Sequence, residues 1–427
     1  MNVNERFESV AREYPESLAA ARRAGVLLEM ADLKAVQAVP DADNAARAFS
    51  EAAAILTKAQ AKGPTRRSGW AELVRRADPK SVRKVAEALA PLEGALDAVV
   101  RSSLLPGWAP TYEPQDEGWA ASQQTFEIRR ALELLSQRGL LRSRMGDLRG
   151  ALEDWGAGLR LARHVASEPF LVSGLVMREM FVIVTSWIER DLVTRGHDAD
   201  YLKKLKEFFL SQPPVVEPIT LLRGEAIVAH QFTIDPKSYR KKFLLNYCVP
   251  KEELKNVLPR GVSIDVLRYA YSTQVLKLFT EIQTQVDPNE DAQVQWRVVD
   301  EIDSKYNNPW EPTLALNRST TSQYQLAWQS SYYCTARVRC FLGLLAALQY
   351  RLSEGKFPDE LRDTGYEETD PYDGKPIRYR REGSEIRVYS VGDDLIDNGG
   401  ESKLFRIPAN GLSWWVDHAV IYSQSSS

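Results

Sequence analysis

The acidic segment VGDDLIDNGG, residues 391 to 400, contains residues whose types could bind a metal ion. Asp393, Asp394 and Asp397 supply carboxylates, the oxygen ligands that hard divalent cations such as calcium prefer. The spacing does not fit an EF-hand, because the third and the twelfth positions counted from Asp393 are both leucines. The alternative is a solvated acidic turn whose glycines allow positive φ angles. On spacing alone, both interpretations stay open.

A second candidate for chemistry is Glu225, which lies within the apolar helical stretch LLRGEAIVAH. Burial there would raise its pKa and let it act as an acid. Together with His164 or His230 it could form the dispersed site of a hydrolase. The alternative is that an arginine, Arg223 or Arg260, neutralises its charge.

The sequence contains no nucleophile elbow, Walker loop, G-x-G-x-x-G or H-E-x-x-H motif. We therefore expect a non-enzymatic helical scaffold or interaction protein with an unidentified protein partner, and the hydrolase is the alternative. A formal net charge of −3 argues against nucleic acid as a partner, because phosphate contacts need a surplus of Lys and Arg.

The start of the chain has no apolar segment typical of a signal peptide. The most apolar internal stretch, FLVSGLVMREMFVIVTSW, is interrupted by Arg178 and Glu179. We therefore expect no membrane span, and a cytoplasmic location by default. The three cysteines, Cys248, Cys334 and Cys340, show no metal-binding spacing, so we expect buried free thiols.

The periodicity predicts a mainly α protein: an irregular helical bundle, a long helix and a small α+β tail. We expect three parts: a helical bundle over 1–212, a second helical region over 213–320, and a third part over 321–427. Within the first part, Gly146 and Asp147 break the helical pattern, and Ala151, Trp155 and Leu159 then recur every four residues. This pattern resembles one tetratricopeptide-type helical hairpin.

The third part begins with a helix predicted over about 321–353, with Gly355 as its C-cap. The segments IRYR and IRVYSV then alternate apolar and polar residues with the period of a β-strand. LSWWVDHAVIY is rich in aromatic and β-branched residues and predicts a third strand. We expect a three-stranded antiparallel sheet that packs on the helix.

The order ALQYRLSEGKFPDEL, DPYDGKPIRYR, VYSVGDD and IDNGG resembles the soluble end of the major pseudopilins of type II secretion. The resemblance covers about residues 335–420, and the same tail after a helical region resembles a group of uncharacterised bacterial proteins. The matching residues are Gly355, Phe357, Pro358, Asp370, Pro371, Gly374, Pro376, Tyr379, Tyr389, Ser390, Gly392 and Asp393.

This resemblance implies a calcium-binding loop after the second strand. It carries Asp393, Asp397 and Asp417 over as calcium ligands, with Asp394 as a substitute. Beside the scaffold and the hydrolase, the resemblance implies a third alternative, that the protein is an accessory protein of a secretion system. The chain departs from the family because it has neither the prepilin cleavage site nor the long apolar N-terminal helix.

Overall fold

In a computed structural model of the chain, helices make up most of the described residues, and the strands lie near the C-terminal end. The structure describes residues 2–61, 79–111, 120–213, 215–234, 261–287, 290, 292–306, 318–383, 385–401, 404–406, 413–415 and 418–423. The helices are α1 Val3–Arg12, α2 Tyr14–Arg23, α3 Met30–Val36, α4 Ala45–Ala61, α5 Pro79–Leu89, α6 Glu93–Ser103, α7 Ala120–Arg144, α8 Leu148–Ala166, α9 Leu171–Arg195, α10 Ala199–Leu210, α11 Glu225–Ile234, α12 Ile264–Gln285, α13 Ala292–Tyr306 and α14 Arg318–Glu354. The mainly α fold with a small β tail is as predicted.

The predicted helical hairpin is formed by α7 and α8. Gly146 turns the chain between them with a φ of +87°, and the Asp147 side chain accepts a hydrogen bond from the Gly150 amide at 2.9 Å. Trp155 is fully buried over Gly139, where an added Cβ would lie 2.5 Å from the indole nitrogen. The small residue thus allows the two helices to approach, and the aromatic ring fills the gap.

Helix α14 runs through the centre of the structure and contacts α9, α10, α13 and the sheet. The predicted apolar face is fully buried, and it consists of Phe341, Leu344, Leu345 and Leu348. The helix ends as predicted, with the Gly355 amide donating to the Arg351 carbonyl at 2.9 Å and Gly355 at a φ of +74°. Helices α1 and α2 pack on α12, which lies in the predicted second region.

The cap, residues 355–423, follows α14 and contains the strands. The strands are β1 Arg378–Glu382, β2 Glu385–Ser390, β3 Leu404–Arg406, β4 Ser413–Trp415 and β5 His418–Ser423. One antiparallel sheet has the order β1-β2-β5, and β3 pairs with β4 in a separate two-stranded sheet. The segment predicted as one third strand is therefore two strands, because its first part pairs with β3 and only its second part joins the main sheet.

The main sheet lies directly on α14. Val388 and Val420 pair across β2 and β5 and are both fully buried. Val388 lies against Gly343, where an added Cβ would be 3.0 Å from a valine methyl group, so the glycine permits the close approach. Arg337 of α14 is buried and donates hydrogen bonds to the Ala419 carbonyl at 3.2 Å and to Glu189 Oε2 of α9 at 2.7 Å. It therefore joins the sheet to the helical body.

The turn DPYDG is organised by Asp370, whose side chain is fully buried. The carboxylate accepts hydrogen bonds from the Ser390 hydroxyl at 2.9 Å, the Val391 amide at 2.9 Å and the Arg378 guanidinium at 2.8 Å. It also accepts one from the Tyr372 amide at 3.1 Å. One carboxylate thus connects the turn, the start of β1, the end of β2 and the start of the acidic loop.

We predict that Asp370→Asn lowers the stability of the cap by about 3 kcal/mol, because it removes the counter-charge of Arg378 and places an amide NH₂ among hydrogen-bond donors. Native-state hydrogen exchange of the cap amides measures this change. Asp394→Asn is the control: Asp394 is exposed and accepts from the Ile396 amide, a bond that asparagine can also accept, so we expect a change within about 0.5 kcal/mol. Equal protection in both variants would contradict this role for Asp370.

Candidate binding pocket

A pocket of about 340 Å³ lies where the cap meets α13 and α14. Four segments that are far apart in sequence form its walls, and the residues that matter most are Trp296, Gln329, Tyr332, Tyr372, Asp373 and Asp393. Gln329 and Tyr332 are three residues apart in α14, so they lie on the same face of that helix. The turn and the acidic loop bring the other two segments to this face.

Three aromatic rings form a continuous wall. The Trp296 and Tyr332 ring centroids are 6.1 Å apart with a tilt of 44°, and those of Tyr332 and Tyr372 are 5.6 Å apart in an edge-to-face arrangement. The Tyr372 hydroxyl donates to the Gln329 backbone carbonyl at 3.3 Å, which fixes the turn against α14. Ring pairs at these separations are favourable, so the wall is held in place before any ligand arrives.

Asp393, the first carboxylate of the acidic loop, lies in the pocket wall with 11% of its side chain exposed. Its nearest cation is Arg178 of α9, whose Nη1 is 3.9 Å from Asp393 Oδ2, too far for a hydrogen bond. Both carboxylate oxygens are fully buried and accept no hydrogen bond of normal geometry from the described residues. The Tyr372 hydroxyl donates to the Gln329 carbonyl at 3.3 Å and lies close enough to Asp393 to affect its pKa. Burial raises the pKa of Asp393, although Arg178 and Tyr372 oppose this.

Arg178 is held beside the pocket by the aromatic ring of Tyr333. Its guanidinium carbon lies 4.5 Å from the centroid of the Tyr333 ring, and Nη2 is buried without a hydrogen-bond partner among the described residues. The arginine therefore reduces the cost of burying Asp393 but does not satisfy its hydrogen-bonding capacity.

Asp373, the other carboxylate of the pocket, forms an ion pair with Arg378. Arg378 donates to it with both terminal nitrogens, one of them at 3.0 Å from Asp373 Oδ1. Burial alone would raise the pKa of Asp373, but these hydrogen bonds and one from the Lys375 amide outweigh it and hold the pKa below the usual range. Asp373 is thus paired with Arg378, whereas Asp393 has only the more distant Arg178 as its counter-charge.

Within the described part of the acidic loop, Asp394 and Asp397 accept hydrogen bonds from groups of the cap. Asp394 accepts from the Ile396 amide at 3.0 Å, and Asp397 accepts from the Gly399 amide at 2.9 Å and the Tyr389 hydroxyl at 3.0 Å. These bonds shape the loop, and no group of three or more metal-ligating side chains occurs within the described ranges. Asp417, the fourth predicted ligand, lies outside the described residues. The calcium site therefore stays a prediction.

Glu225 has a structural partner that the sequence did not suggest. Its Oε1 accepts a hydrogen bond from the Leu171 amide at 2.8 Å, at the first residue of α9, where backbone amides have no partner inside the helix. In the described part of the chain, no arginine pairs with Glu225; Arg223 is exposed, and Arg260 lies outside that part. Burial raises the pKa of Glu225 to about 7.

The two candidate histidines have partners other than Glu225. His230 Nδ1 hydrogen-bonds with the Tyr14 hydroxyl at 2.9 Å, and His164 Nε2 is 3.3 Å from the Ser103 carbonyl, to which it donates. Burial lowers the pKa of both imidazoles. The described contacts thus do not join Glu225 and a histidine into an acid–base pair.

The aromatic residues of the pocket were not identified from the sequence. Tyr372 belongs to the DPYDG segment, which the sequence analysis uses only for the pseudopilin resemblance, and Gln329 and Tyr332 occur in the long helix but outside its predicted apolar face. One feature of the sequence could have indicated the pocket: Tyr372 lies in the middle of a turn that immediately precedes two strands. Trp296 gave no such signal, because only the tertiary structure brings α13 to the cap.

Comparison with known proteins gives no relative from which a function could be transferred: no family model, curated protein or solved structure matches the chain.

Cys334 and Cys340 are buried free thiols as predicted, and Cys248 lies outside the described residues. Of the helices described, α9 is the one long and apolar enough to cross a membrane, but 56% of its most apolar window is buried in the fold.

The predicted calcium site has a direct test. If the loop binds calcium with a dissociation constant of ~10⁻⁴ M, ~1 mM calcium stabilises the protein by about 1.4 kcal/mol relative to chelator. Thermal unfolding with calcium or chelator measures this, and Asp397→Asn should remove the effect while Asp359→Asn, an exposed carboxylate outside the loop, should keep it. An unchanged midpoint at millimolar calcium would eliminate the site.

We also predict that Glu225 makes stability depend on pH. Its pKa is raised from 4.5 to about 7, so the folded protein binds this proton more tightly than the unfolded protein does. Stability is therefore highest below the unfolded pKa and falls as the pH rises to about 7, by about 2 kcal/mol after allowance for partial exposure. Urea unfolding between pH 5 and 8 should show this loss relative to Glu225→Gln, and parallel curves would contradict it.

Proposed function

We propose that this protein is a non-enzymatic binding scaffold whose helical body and β cap hold a ligand in the pocket between them. The observation that carries the proposal is the pocket itself, about 340 Å³ between the cap, α13 and α14, with the rings of Trp296, Tyr332 and Tyr372 in its wall. Pockets of this size, lined mostly by aromatic and apolar side chains with a few polar groups, are where proteins usually bind small ligands. The aromatic wall supplies the apolar contact area that ligand pockets generally have.

Binding is favoured over catalysis because of the chemistry of the wall. Its described residues include no histidine, cysteine or serine, and of its two carboxylates Asp373 is already committed to Arg378. A pair of titratable groups with opposed roles is therefore not available there. The hydrolase alternative would need Glu225 with a histidine, and the contacts described above give those residues separate partners.

The cap supports a narrower proposal, that the protein docks to secretion components in the manner of a pseudopilin. What supports it is that Asp370 connects the matched DPYDG turn to the matched YS-x-G-D segment by hydrogen bonds. Co-purification of the protein with components of a type II secretion system tests it, and Asp370→Asn should weaken the association.

The binding proposal can be tested by fluorine NMR of protein labelled with 5-fluorotryptophan. The Trp296 signal is assigned from its loss in Trp296→Phe, and a library of small cations, anions and neutral aromatic compounds is added at millimolar concentration. We expect a subset to shift the Trp296 signal, because its ring forms the pocket wall, and to leave the signal of the fully buried Trp155 unchanged. A library in which no compound moves the Trp296 signal selectively would contradict the proposed function.

A further inference from the structure

We propose that the pocket takes an uncharged, planar aromatic compound and that Leu395 is the residue of the acidic loop that contacts it. This inference rests on the proposed function and specifies the class of ligand. It starts from the backbone of Leu395, which has a φ of +58°. Among the described residues, Leu395 is the one residue other than glycine with a positive φ.

The left-handed conformation is unfavourable for leucine, because the Cβ atom comes too close to the following carbonyl oxygen. Glycine adopts this conformation without the clash, and the same loop has glycine at its other positive-φ positions, Gly392, Gly399 and Gly400. At position 395 the loop instead carries a large apolar side chain. Strained backbone positions are concentrated at ligand-binding and catalytic sites, so the strain points to a role for this side chain.

Leu395 belongs to the pocket wall, and yet 57% of the residue is exposed. The surrounding turn fixes its position. The Leu395 amide donates to the Gly392 carbonyl at 3.3 Å, and the Asp394 side chain accepts from the Ile396 amide at 3.0 Å. The loop thus holds an apolar side chain at the edge of the pocket without covering it. A ligand in the pocket would bury this apolar surface, which is favourable.

The aromatic part of the wall favours a planar ring as the ligand. Aromatic rings attract one another in offset-stacked or edge-to-face arrangements, beyond the gain from buried area. The wall already contains two such pairs, Trp296 with Tyr332 at 6.1 Å and Tyr332 with Tyr372 at 5.6 Å. An aromatic ligand can extend this series of contacts, whereas a saturated ring of the same size gains only apolar contact.

A net charge on the ligand is disfavoured because the described part of the wall offers no open partner for it. Both carboxylate oxygens of Asp393 are fully buried, and Asp373 is paired with Arg378. Arg297 belongs to the wall but is exposed, where solvent and salt screen its charge. A charged compound would therefore lose hydration on entering the pocket and gain no ion pair in return.

The test titrates compounds of nearly equal size against the fluorine signal of Trp296. Benzyl alcohol is uncharged and planar, cyclohexylmethanol is its saturated counterpart, benzylamine is a cation and benzoate is an anion. We expect benzyl alcohol to bind with a dissociation constant of roughly 10⁻³ M and the other compounds to bind at least about fivefold more weakly. Equal binding of benzylamine or benzoate would overturn the preference for an uncharged ligand, and equal binding of cyclohexylmethanol would overturn the preference for a planar ring.

Protein variants then test Leu395. Leu395→Asn keeps the backbone conformation, because asparagine tolerates positive φ, but removes the apolar contact. We expect it to weaken benzyl alcohol about fivefold without lowering the midpoint of thermal unfolding. Ile396→Asn is the control, because Ile396 is the adjacent residue, is 59% exposed and lies outside the described pocket wall, so binding should not change.

Leu395→Gly provides a second test that does not depend on the asparagine variant. It removes both the strain and the side chain, so we expect the same loss of affinity and no loss of thermal stability. Wild-type affinity in both variants would show that Leu395 does not contact the ligand.

The outcomes separate this inference from the proposed function. If charged or saturated compounds shift the Trp296 signal as readily as benzyl alcohol does, the ligand class is wrong and the binding scaffold stands. If neither benzyl alcohol nor any library compound moves the Trp296 signal, both are wrong.

Discussion

The cap depends on one buried carboxylate, Asp370. Because it accepts hydrogen bonds from the turn, from β1 and from both sides of the junction between β2 and the acidic loop, these segments can take only one relative arrangement. That arrangement places Tyr372 and Asp393 side by side. The DP-x-x-G motif therefore does more than turn the chain, because it also aligns two walls of the pocket.

The remaining walls come from the helical body, and α14 connects them to the cap. Arg337 links this helix to β5 and to α9, while α9 also carries Arg178, the nearest cation to Asp393. A buried arginine with partners on two other elements strongly restricts how those elements pack, because any shift leaves a charge or a carbonyl unsatisfied. The cap and the helical body thus pack together at the pocket, and Asp393 lies between them.

Local patterns in the sequence predict the helices and strands, but they do not predict the tertiary contacts between them. Gly146 and Gly355 mark helix ends because positive φ angles there require glycine, and both breaks are where the pattern predicts them. The alternation of apolar and polar residues around Tyr379 and Val388 predicts β1 and β2, because successive side chains of a strand point to opposite faces. The third strand of the main sheet, β5, lies within the predicted segment, but the pairing of that segment's first part with β3 cannot be read from the composition of one segment.

The candidate site was predicted only in part, for a physical reason. Carboxylates in a glycine-rich loop look alike in sequence whether they bind a cation, cap a turn or line a pocket, and the tertiary contacts decide among these roles. Asp394 and Asp397 hydrogen-bond within the cap, whereas Asp393 faces the pocket. Glu225 likewise satisfies an amide at the start of a helix 54 residues earlier in the chain, a contact that no local pattern encodes.

The measurement that decides most is a high-resolution crystal structure of the protein soaked with a compound that shifts the Trp296 signal. We expect the compound in the pocket between the cap, α13 and α14, against the rings of Trp296, Tyr332 and Tyr372. A structure in which the neighbouring side chains fill this space would show that there is no binding pocket.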